Sequence, residues 1–201
     1  MKSAVEEYNG NVVINPTTID TEKYHDRCTE HKNETLTIGW TGSHSTNRYL
    51  ELIVPVLEKL KKEYDFNFVV ISDEEPSMGN ELFQYVPWRR KTEIIDLLQL
   101  NIGVMPLSHD PWSEGKCGFK ALQYMSLGMP ALVSPVGINE EIVDHGVNGY
   151  VCRTEDEWVN YLSILLKDRQ MLKKMGEAAR NKIVNQYSVR SNKTNFIHLF
   201  A

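Results

Sequence analysis

Two lysines and a glutamine recur along one segment of the chain with a spacing suited to binding an anion. Lys116, Lys120 and Gln123 stand at positions i, i+4 and i+7, which places them on one face of a helix. A glycine-bearing loop precedes them, and a helix N-terminus attracts negative charge through its unpaired N–H groups and its dipole. The alternative is an ordinary solvated helix face. The spacing therefore favours a phosphate site and leaves this alternative open.

The segment lies between two apolar runs that are typical of buried parallel strands, at 102–107 and 130–134. Between them we predict one helix of about three turns, with Gly128 as its C-cap. The apolar side chains that can pack on a sheet are Phe119, Leu122 and Met125. This strand–helix–strand order predicts that the lysines lie at the edge of a sheet.

The same alternation of strands and helices extends along most of the chain. Further strands are predicted at 36–40, 66–71, 82–86 and 150–152. Further helices are predicted at 47–64, with a bend at Pro55, and at 92–100, 156–166, 169–186 and 188–200. Such alternation predicts an α/β fold with a doubly wound parallel sheet and helices on both faces. Ligands bind such sheets at the carboxyl ends of the strands.

Three loops are expected at that edge of the sheet. The loop after the first strand contains Gly42 and Ser43, but the chain has neither the Gly-x-Gly-x-x-Gly motif nor the Gly-Lys-Ser/Thr motif there. The small, basic and polar residues expected near one crevice are Gly42, Ser43, Arg48, Pro87, Trp88, His109, Asp110, Lys116 and Lys120. Their convergence strengthens the phosphate hypothesis beyond what any single motif allows.

Composition excludes several classes of function. The 201 residues carry a net charge of −5 and no long basic block, which argues against nucleic-acid binding. No apolar run approaches the roughly 20 residues of a membrane-spanning helix, and no signal-peptide pattern opens the chain. Cys28, Cys117 and Cys152 match neither a disulfide framework nor a zinc spacing. We therefore expect a cytoplasmic protein without a bound metal or cofactor.

Three segments carry a resemblance to a known family. They are Gly-Trp-Thr-Gly-Ser at 39–43, Gly-Lys-Cys-Gly-Phe-Lys-Ala-Leu-Gln-Tyr-Met at 115–125, and the Glu-Ile-Val and Gly-Val-Asn-Gly run within 133–149. Together they resemble the C-terminal, nucleotide-sugar-binding half of a GT-B glycosyltransferase of the family 4, or glycosyl transferases group 1, type. The resemblance covers roughly residues 11 to 200 and implies one Rossmann-like half of the GT-B fold.

The resemblance also implies which residues bind the donor. In that family the diphosphate meets the glycine-rich loop, a basic residue beyond it and the N-terminus of the central helix. The implied diphosphate residues are Gly42, Ser43, Arg48, Lys116, Cys117, Gly118, Phe119 and Lys120. The implied base and ribose residues are Val86, Pro87 and Gln123. No metal and no catalytic residue are assigned.

One feature of the family is absent from this chain. The family's two glutamates, eight residues apart, fall on Gly115 and Gln123, with Glu114 one residue before the first position. A carboxylate can accept hydrogen bonds from both ribose hydroxyls, whereas an amide offers one acceptor and one donor group. Ribose binding by Gln123 is therefore expected to be weaker.

The resemblance implies a two-domain enzyme of which this chain holds one domain. We expect residues 1–35 to be an interdomain linker or the edge of a missing N-terminal domain, 36–187 the nucleotide-sugar-binding domain, and 188–201 a helix that crosses back. The expected function is donor binding in a retaining glycosyltransferase of glycan or polysaccharide biosynthesis, inactive without the other domain.

The partners implied are a nucleoside-diphosphate sugar, an unidentified acceptor and the N-terminal domain, with peripheral membrane association of the full-length protein. Two alternatives stay open. One is a non-catalytic interaction module, which the missing glutamate pair favours, and the other is a sugar-nucleotide epimerase of GT-B fold.

Overall fold

A six-stranded, all-parallel sheet forms the centre of the computed structural model, which describes residues 5–32, 34–77 and 82–200. The strand order is β3-β2-β1-β4-β5-β6. The strands are β1 (Leu36–Gly42), β2 (Phe66–Ser72), β3 (Gln84–Pro87), β4 (Ile102–Met105), β5 (Ala131–Val133) and β6 (Gly149–Val151). The order reverses between β1 and β4, so the predicted doubly wound α/β fold is confirmed.

Helices connect and flank the strands. The α-helices are α1 (Val54–Lys61), α2 (Glu93–Leu97), α3 (Pro111–Glu114), α4 (Phe119–Ser126), α5 (Asn139–Ile142), α6 (Glu155–Lys167), α7 (Arg169–Lys182) and α8 (Val189–His198). A 3-10 helix, His44–Leu52, precedes α1, and Pro55 lies in the first turn of α1. The predicted bend is therefore a change of helix type, because proline fits a helix start and not its interior.

The sheet separates two apolar cores. One cluster joins Leu97 of α2, Leu122 of α4 and Ile142 of α5. The other joins Leu57 of α1 and Leu162 of α6. Neighbouring residues of β2 belong to different clusters because side chains alternate between the faces of a strand. The strands other than the edge strand β3 are thus buried on both faces, as continuous apolar runs in the sequence predict.

The helix predicted before Gly128 is present but shorter than three turns, since α4 has eight residues, Phe119–Ser126. A further short helix, α3, forms before it where no helix was predicted, and the loop 115–118 separates the two. The Asp110 side chain caps α3 by accepting a hydrogen bond from the Ser113 N–H, and Gly118 takes a left-handed conformation (φ +68°) immediately before α4. A helix cannot pass through a left-handed residue. Lys116 therefore lies in the loop and does not share a helix face with Lys120.

The placement of Phe119 on the sheet-packing face was also wrong. Its ring is 41% exposed, whereas Leu122 and Met125 are fully buried. Phe119 is the first residue of α4, one turn before Leu122. The backbone of Phe119 therefore forms the start of α4, while its side chain does not pack on the sheet.

Part of the segment that precedes β1 packs on the helices. Ile19 is buried, and its N–H donates to the Tyr187 carbonyl at 2.9 Å. The guanidinium of Arg180 donates to the carbonyls of Thr21 and His25. The Thr29 N–H donates to Leu127 at the end of α4. The assignment of residues 1–35 to an interdomain linker stays a prediction, and so do the boundaries at 36–187 and 188–201.

Tyr124 of α4 fixes the end of β1, so we predict that Tyr124→Phe destabilises the fold. The Tyr124 hydroxyl accepts a hydrogen bond from the Thr41 N–H at 2.8 Å, and burial raises the pKa of Tyr124. Phenylalanine leaves this buried N–H without a partner, which costs about 1–3 kcal/mol. Urea denaturation measures the loss, with the exposed Tyr24→Phe as the matched control. A loss below about 0.5 kcal/mol would contradict the prediction.

Candidate functional site

The loop after β1 and the loop after β4 meet at the carboxyl edge of the sheet. Tyr49 lies in the 3-10 helix after β1, and its hydroxyl shares a hydrogen bond with the Ser113 hydroxyl of α3 at 2.8 Å. The Ser113 hydroxyl donates in turn to Asp110 Oδ2 at 2.8 Å. These bonds dock the first loop on α3, so two of the three loops expected at this edge are joined.

Asp110 orients this edge and does not serve as a free base. Its carboxylate accepts hydrogen bonds from the Ser108 hydroxyl at 2.7 Å and from the Ser113 N–H at 2.9 Å. These bonds, the Ser108 bond above all, hold the pKa of Asp110 well below its usual range. The group is therefore an anion at neutral pH, and its oxygens are already occupied.

Glu114 joins α3 to the loop after β5. One oxygen, Oε1, lies 3.1 Å from His109 Nδ1, and Oε2 accepts a hydrogen bond from the Gly137 N–H at 3.0 Å. The bond with His109 is the main reason that the pKa of Glu114 is lowered. The carboxylate next to the position of the family's first glutamate thus holds two loops together.

The first turn of α4 lies at this edge. Gly118 is its N-cap, and among the described residues no side chain caps the turn, so its N–H groups are available to a ligand. Gly118 is itself buried, and a Cβ at this position would overlap the Ile142 side chain of α5. The N–H groups of residues 117–119 therefore lie where a close approach of backbone to ligand is possible.

Two ammonium groups lie beside this turn without a carboxylate partner. Lys116 Nζ is 5.4 Å from the centre of the Tyr49 ring, and Lys120 Nζ is 5.4 Å from the centre of the Trp40 ring. Within the described ranges neither lysine has a carboxylate at ion-pair distance. Burial lowers the pKa of Lys120 to about 8, and the nearby Lys116 adds to this effect. The pair is thus a local positive charge.

Two more of the predicted diphosphate residues, Arg48 and Gly42, lie against the same two aromatic rings. Arg48 donates a hydrogen bond to the Tyr49 hydroxyl at 2.9 Å, and its guanidinium lies 4.9 Å from that ring's centre. Gly42 lies against the Trp40 indole and has no room for a Cβ. The Ser43 hydroxyl shares a 2.8 Å hydrogen bond with Ser45. Cys117 is an exposed free thiol in the loop between the lysines.

The predicted base and ribose residues lie on β3 and α4. Val86 packs against the core and Pro87 is exposed at the end of β3. Gln123 is 5% exposed, and its Nε2 donates to Glu93 Oε1 at 3.0 Å. Sequence reasoning missed Glu93, which lies 30 positions earlier and opens α2. The one feature of the sequence that points to Glu93 is its position shortly after the predicted strand at 82–86.

Neither a metal cluster nor a membrane-spanning helix is found in the part of the chain that the structure describes. No group of three or more His, Cys, Asp or Glu side chains there is placed to hold a metal ion. No helix of that part combines the length and the apolar character needed to cross a bilayer.

Comparison with known proteins identifies the family. Residues 23–182 match the family model described as glycosyl transferases group 1, which is well over half of the chain. The chain belongs to this family. The resemblance found in the sequence is therefore confirmed, and the all-parallel sheet is the Rossmann-like unit of GT-B glycosyltransferases.

Individual relatives of this group 1 chain are distant. Over 72 residues it is 35% identical to N-acetyl-alpha-D-glucosaminyl L-malate synthase of Bacillus anthracis, a match that covers 35% of the chain and 19% of the relative. The C-terminal domain of a group 1 family protein from Francisella tularensis has a TM-score of 0.60 and 18% identity, covering 87% of the chain and 95% of that domain.

A second similar structure holds ligands. HepE of Anabaena, in complex with UDP and glucose, has a TM-score of 0.68 and 13% identity, and covers 83% of this chain. The chain spans 48% of HepE and, as noted, a smaller share of the synthase. At this identity the likeness to solved structures concerns the fold.

Proposed function

We propose that this chain is the donor-binding domain of a retaining glycosyltransferase that transfers a sugar from a nucleoside diphosphate to an acceptor. The observation that carries the proposal is the pair of lysines, Lys116 and Lys120, which lie beside the start of α4 and have no carboxylate at ion-pair distance among the described residues. Half-buried positive charge without a carboxylate is costly unless an anion binds there. A diphosphate supplies that anion.

The proposed chemistry is stabilisation of the leaving group. As the bond between the sugar and the diphosphate breaks, negative charge grows on the diphosphate. Fixed N–H groups at residues 117–119 and the ammonium groups of Lys116 and Lys120 face that charge without reorganising. Arg48 adds a third cation at the same edge. The proposal needs neither a glycosidase-type carboxylate pair nor a metal, and it assigns no catalytic residue.

Gly42, Ser43, Cys117, Gly118 and Phe119 are proposed to contact the diphosphate through their backbone. The base and ribose are proposed to lie by Val86, Pro87 and Gln123 at the neighbouring part of the same edge. Because HepE was solved with UDP and glucose, uridine diphosphate is the first nucleotide to test.

An N-terminal domain of the same protein is proposed as the partner that completes the enzyme. No residue of α8 is buried, and apolar side chains along it and just after it are exposed: Val189, Phe196, Ile197, Leu199 and Phe200. Covering them would bury apolar surface. In this proposal the isolated chain is inactive, the full-length cytoplasmic enzyme acts in polysaccharide biosynthesis with peripheral membrane association, and the acceptor is unidentified.

Calorimetric titration of the chain with UDP, GDP, ADP and CMP, with and without magnesium, tests the proposal. We expect one nucleoside diphosphate to bind and the others to bind far more weakly. Binding of none by the chain, and none by the full-length protein, would overturn it.

A second candidate function is a non-catalytic interaction module. The observation that favours it is the absence of the family's glutamate pair, since Gly115 and Gln123 occupy those positions. Such a module should bind no nucleotide, so the same titration separates the two functions.

The affinity for the nucleoside diphosphate is predicted to fall as the pH rises above about 8. Burial lowers the pKa of Lys120 to about 8 in the free protein, and the bound diphosphate favours the protonated ammonium. Above that pH, binding must therefore take up a proton, and the affinity falls by up to about tenfold per pH unit. Titrations at pH 7, 8 and 9 measure the slope.

Lys120→Arg is the matched variant, because a guanidinium stays charged throughout this range. The affinity of this variant for the nucleoside diphosphate should depend less on pH between 7 and 9. An affinity of the original protein that is equal at pH 7 and pH 9 would contradict the prediction.

A further inference from the structure

A carboxylate from a different helix lies next to Gln123. Glu93 is the first residue of α2 and follows the carboxyl end of β3 by a few residues. Its Oε1 accepts the hydrogen bond from Gln123 Nε2 at 3.0 Å. The bond fixes two side chains from α2 and α4 against each other at the edge where the base and ribose are proposed to bind.

Two acceptor oxygens of this pair are unused. In the residues that the structure describes, Glu93 Oε2 and Gln123 Oε1 have no hydrogen-bond partner. Neither oxygen is fully buried. Among the described residues, the fully buried polar side-chain atoms without a hydrogen-bond partner are the two ring nitrogens of His25. The pair therefore presents two acceptors, one of them anionic, to a ligand that carries two hydroxyl donors.

The position of the pair along α4 relates it to the proposed diphosphate site. Gln123 lies three residues after Lys120, which is just under one helical turn, or about 5 Å along the axis. In a nucleotide the ribose lies next to the first phosphate. A ligand whose phosphates meet the lysines at the start of α4 therefore brings its ribose to the next turn.

We propose that Glu93 binds the ribose hydroxyls of the nucleoside and that Gln123 positions its carboxylate. The inference rests on the proposed function and deepens it. Hydrogen bonds from hydroxyls to a carboxylate are roughly twice as strong as those between neutral groups. Glu93 thus supplies the anionic acceptor that Gln123 lacks, and its charge repels phosphate from this end of the crevice, which orients the nucleotide.

Glu93→Gln tests the inference, because it removes the charge and keeps the shape. The ligands are UDP and 2′,3′-dideoxy-UDP, or the corresponding pair for whichever nucleotide of the panel binds most tightly. The original protein should prefer the ribose form. The variant should bind the ribose form about tenfold to hundredfold more weakly and the dideoxy form with almost unchanged affinity. Asp96→Asn, the same change one turn further along α2, is the control and should alter neither affinity.

The outcomes separate the two claims. If Glu93→Gln weakens both ligands equally, Glu93 has a structural role and the inference is overturned. If the variant binds the ribose form as tightly as the original protein, the inference is overturned while the proposed function stands. If neither the chain nor the full-length protein binds a nucleotide of the panel, the proposed function fails and the inference fails with it.

Discussion

Lys120→Met is expected to weaken nucleoside diphosphate binding about tenfold to hundredfold while making the fold more stable. The lost affinity is that of a charge-assisted hydrogen bond to a phosphate, worth about 1.5–3 kcal/mol. The gain in stability has a separate cause. The ammonium is half-buried over the Trp40 ring, with no carboxylate partner in the part of the chain that the structure describes, and burial lowers its pKa to about 8. Methionine keeps the apolar stem and removes the charge that burial disfavours.

Opposite signs in the two measurements distinguish a binding residue from a structural one. Calorimetry gives the affinity and urea denaturation gives the free energy of unfolding, for which we expect a rise of about 1 kcal/mol. Lys62→Met, at an exposed position after α1, is the control and should change neither quantity. A Lys120→Met variant that is less stable than the original protein, or that binds as tightly, would contradict the account.

Gly118→Ala is expected to lower both stability and affinity. Gly118 has a φ of +68°, which costs an L-residue about 1–2 kcal/mol. A Cβ would also overlap the Cδ1 atom of Ile142 and lie 3.2 Å from the Ile138 side chain, so these side chains must move. Strain of this kind adds about 1–3 kcal/mol. Because the left-handed conformation of Gly118 sets the first turn of α4, whose N–H groups are proposed to bind the diphosphate, we expect a loss of about tenfold or more in affinity.

Gly115→Ala is the matched control in the same loop. Gly115 has a φ of −80°, and the nearest atom to a Cβ there is the Trp112 carbonyl oxygen at 3.5 Å. Alanine fits this conformation and this space, so the unfolding free energy should stay within about 0.5 kcal/mol. Equal effects of the two substitutions would show that the left-handed conformation of Gly118 has no special importance.

The sheet could be predicted from the sequence because its strands are continuous apolar runs. The run at 66–71 is β2, and its neighbouring residues are buried in opposite cores. The short helix α3 was not predicted. Asp110 followed by Pro111 is a typical helix start, but α3 has only four residues and so has no periodicity to detect. The close approach of Ile142 to Gly118, which leaves no room for a Cβ, arises from tertiary packing that the local sequence does not show.

The sequence predicts which residues lie close together at the candidate site only where the order of the parallel strands brings their loops to one edge. Gly42 and Lys116 were expected at one edge because the carboxyl ends of parallel strands meet there. Glu93 could not be found in this way, because its contact with Gln123 arises from the path of α2 between β3 and β4. The sequence also does not show that the Lys120 ammonium lies over the Trp40 ring.

Amide chemical shifts of the isotope-labelled chain, recorded during addition of the nucleoside diphosphate that binds most tightly, test the central claim most directly. The account predicts that the largest shifts fall on residues 42–43 and 117–120. The cleft between the turn at Gly146 and Val147 and the helix α7 serves as an internal control and should show none. Shifts centred on that cleft, with the amides of 117–120 unchanged, would contradict the claim that this edge binds the diphosphate.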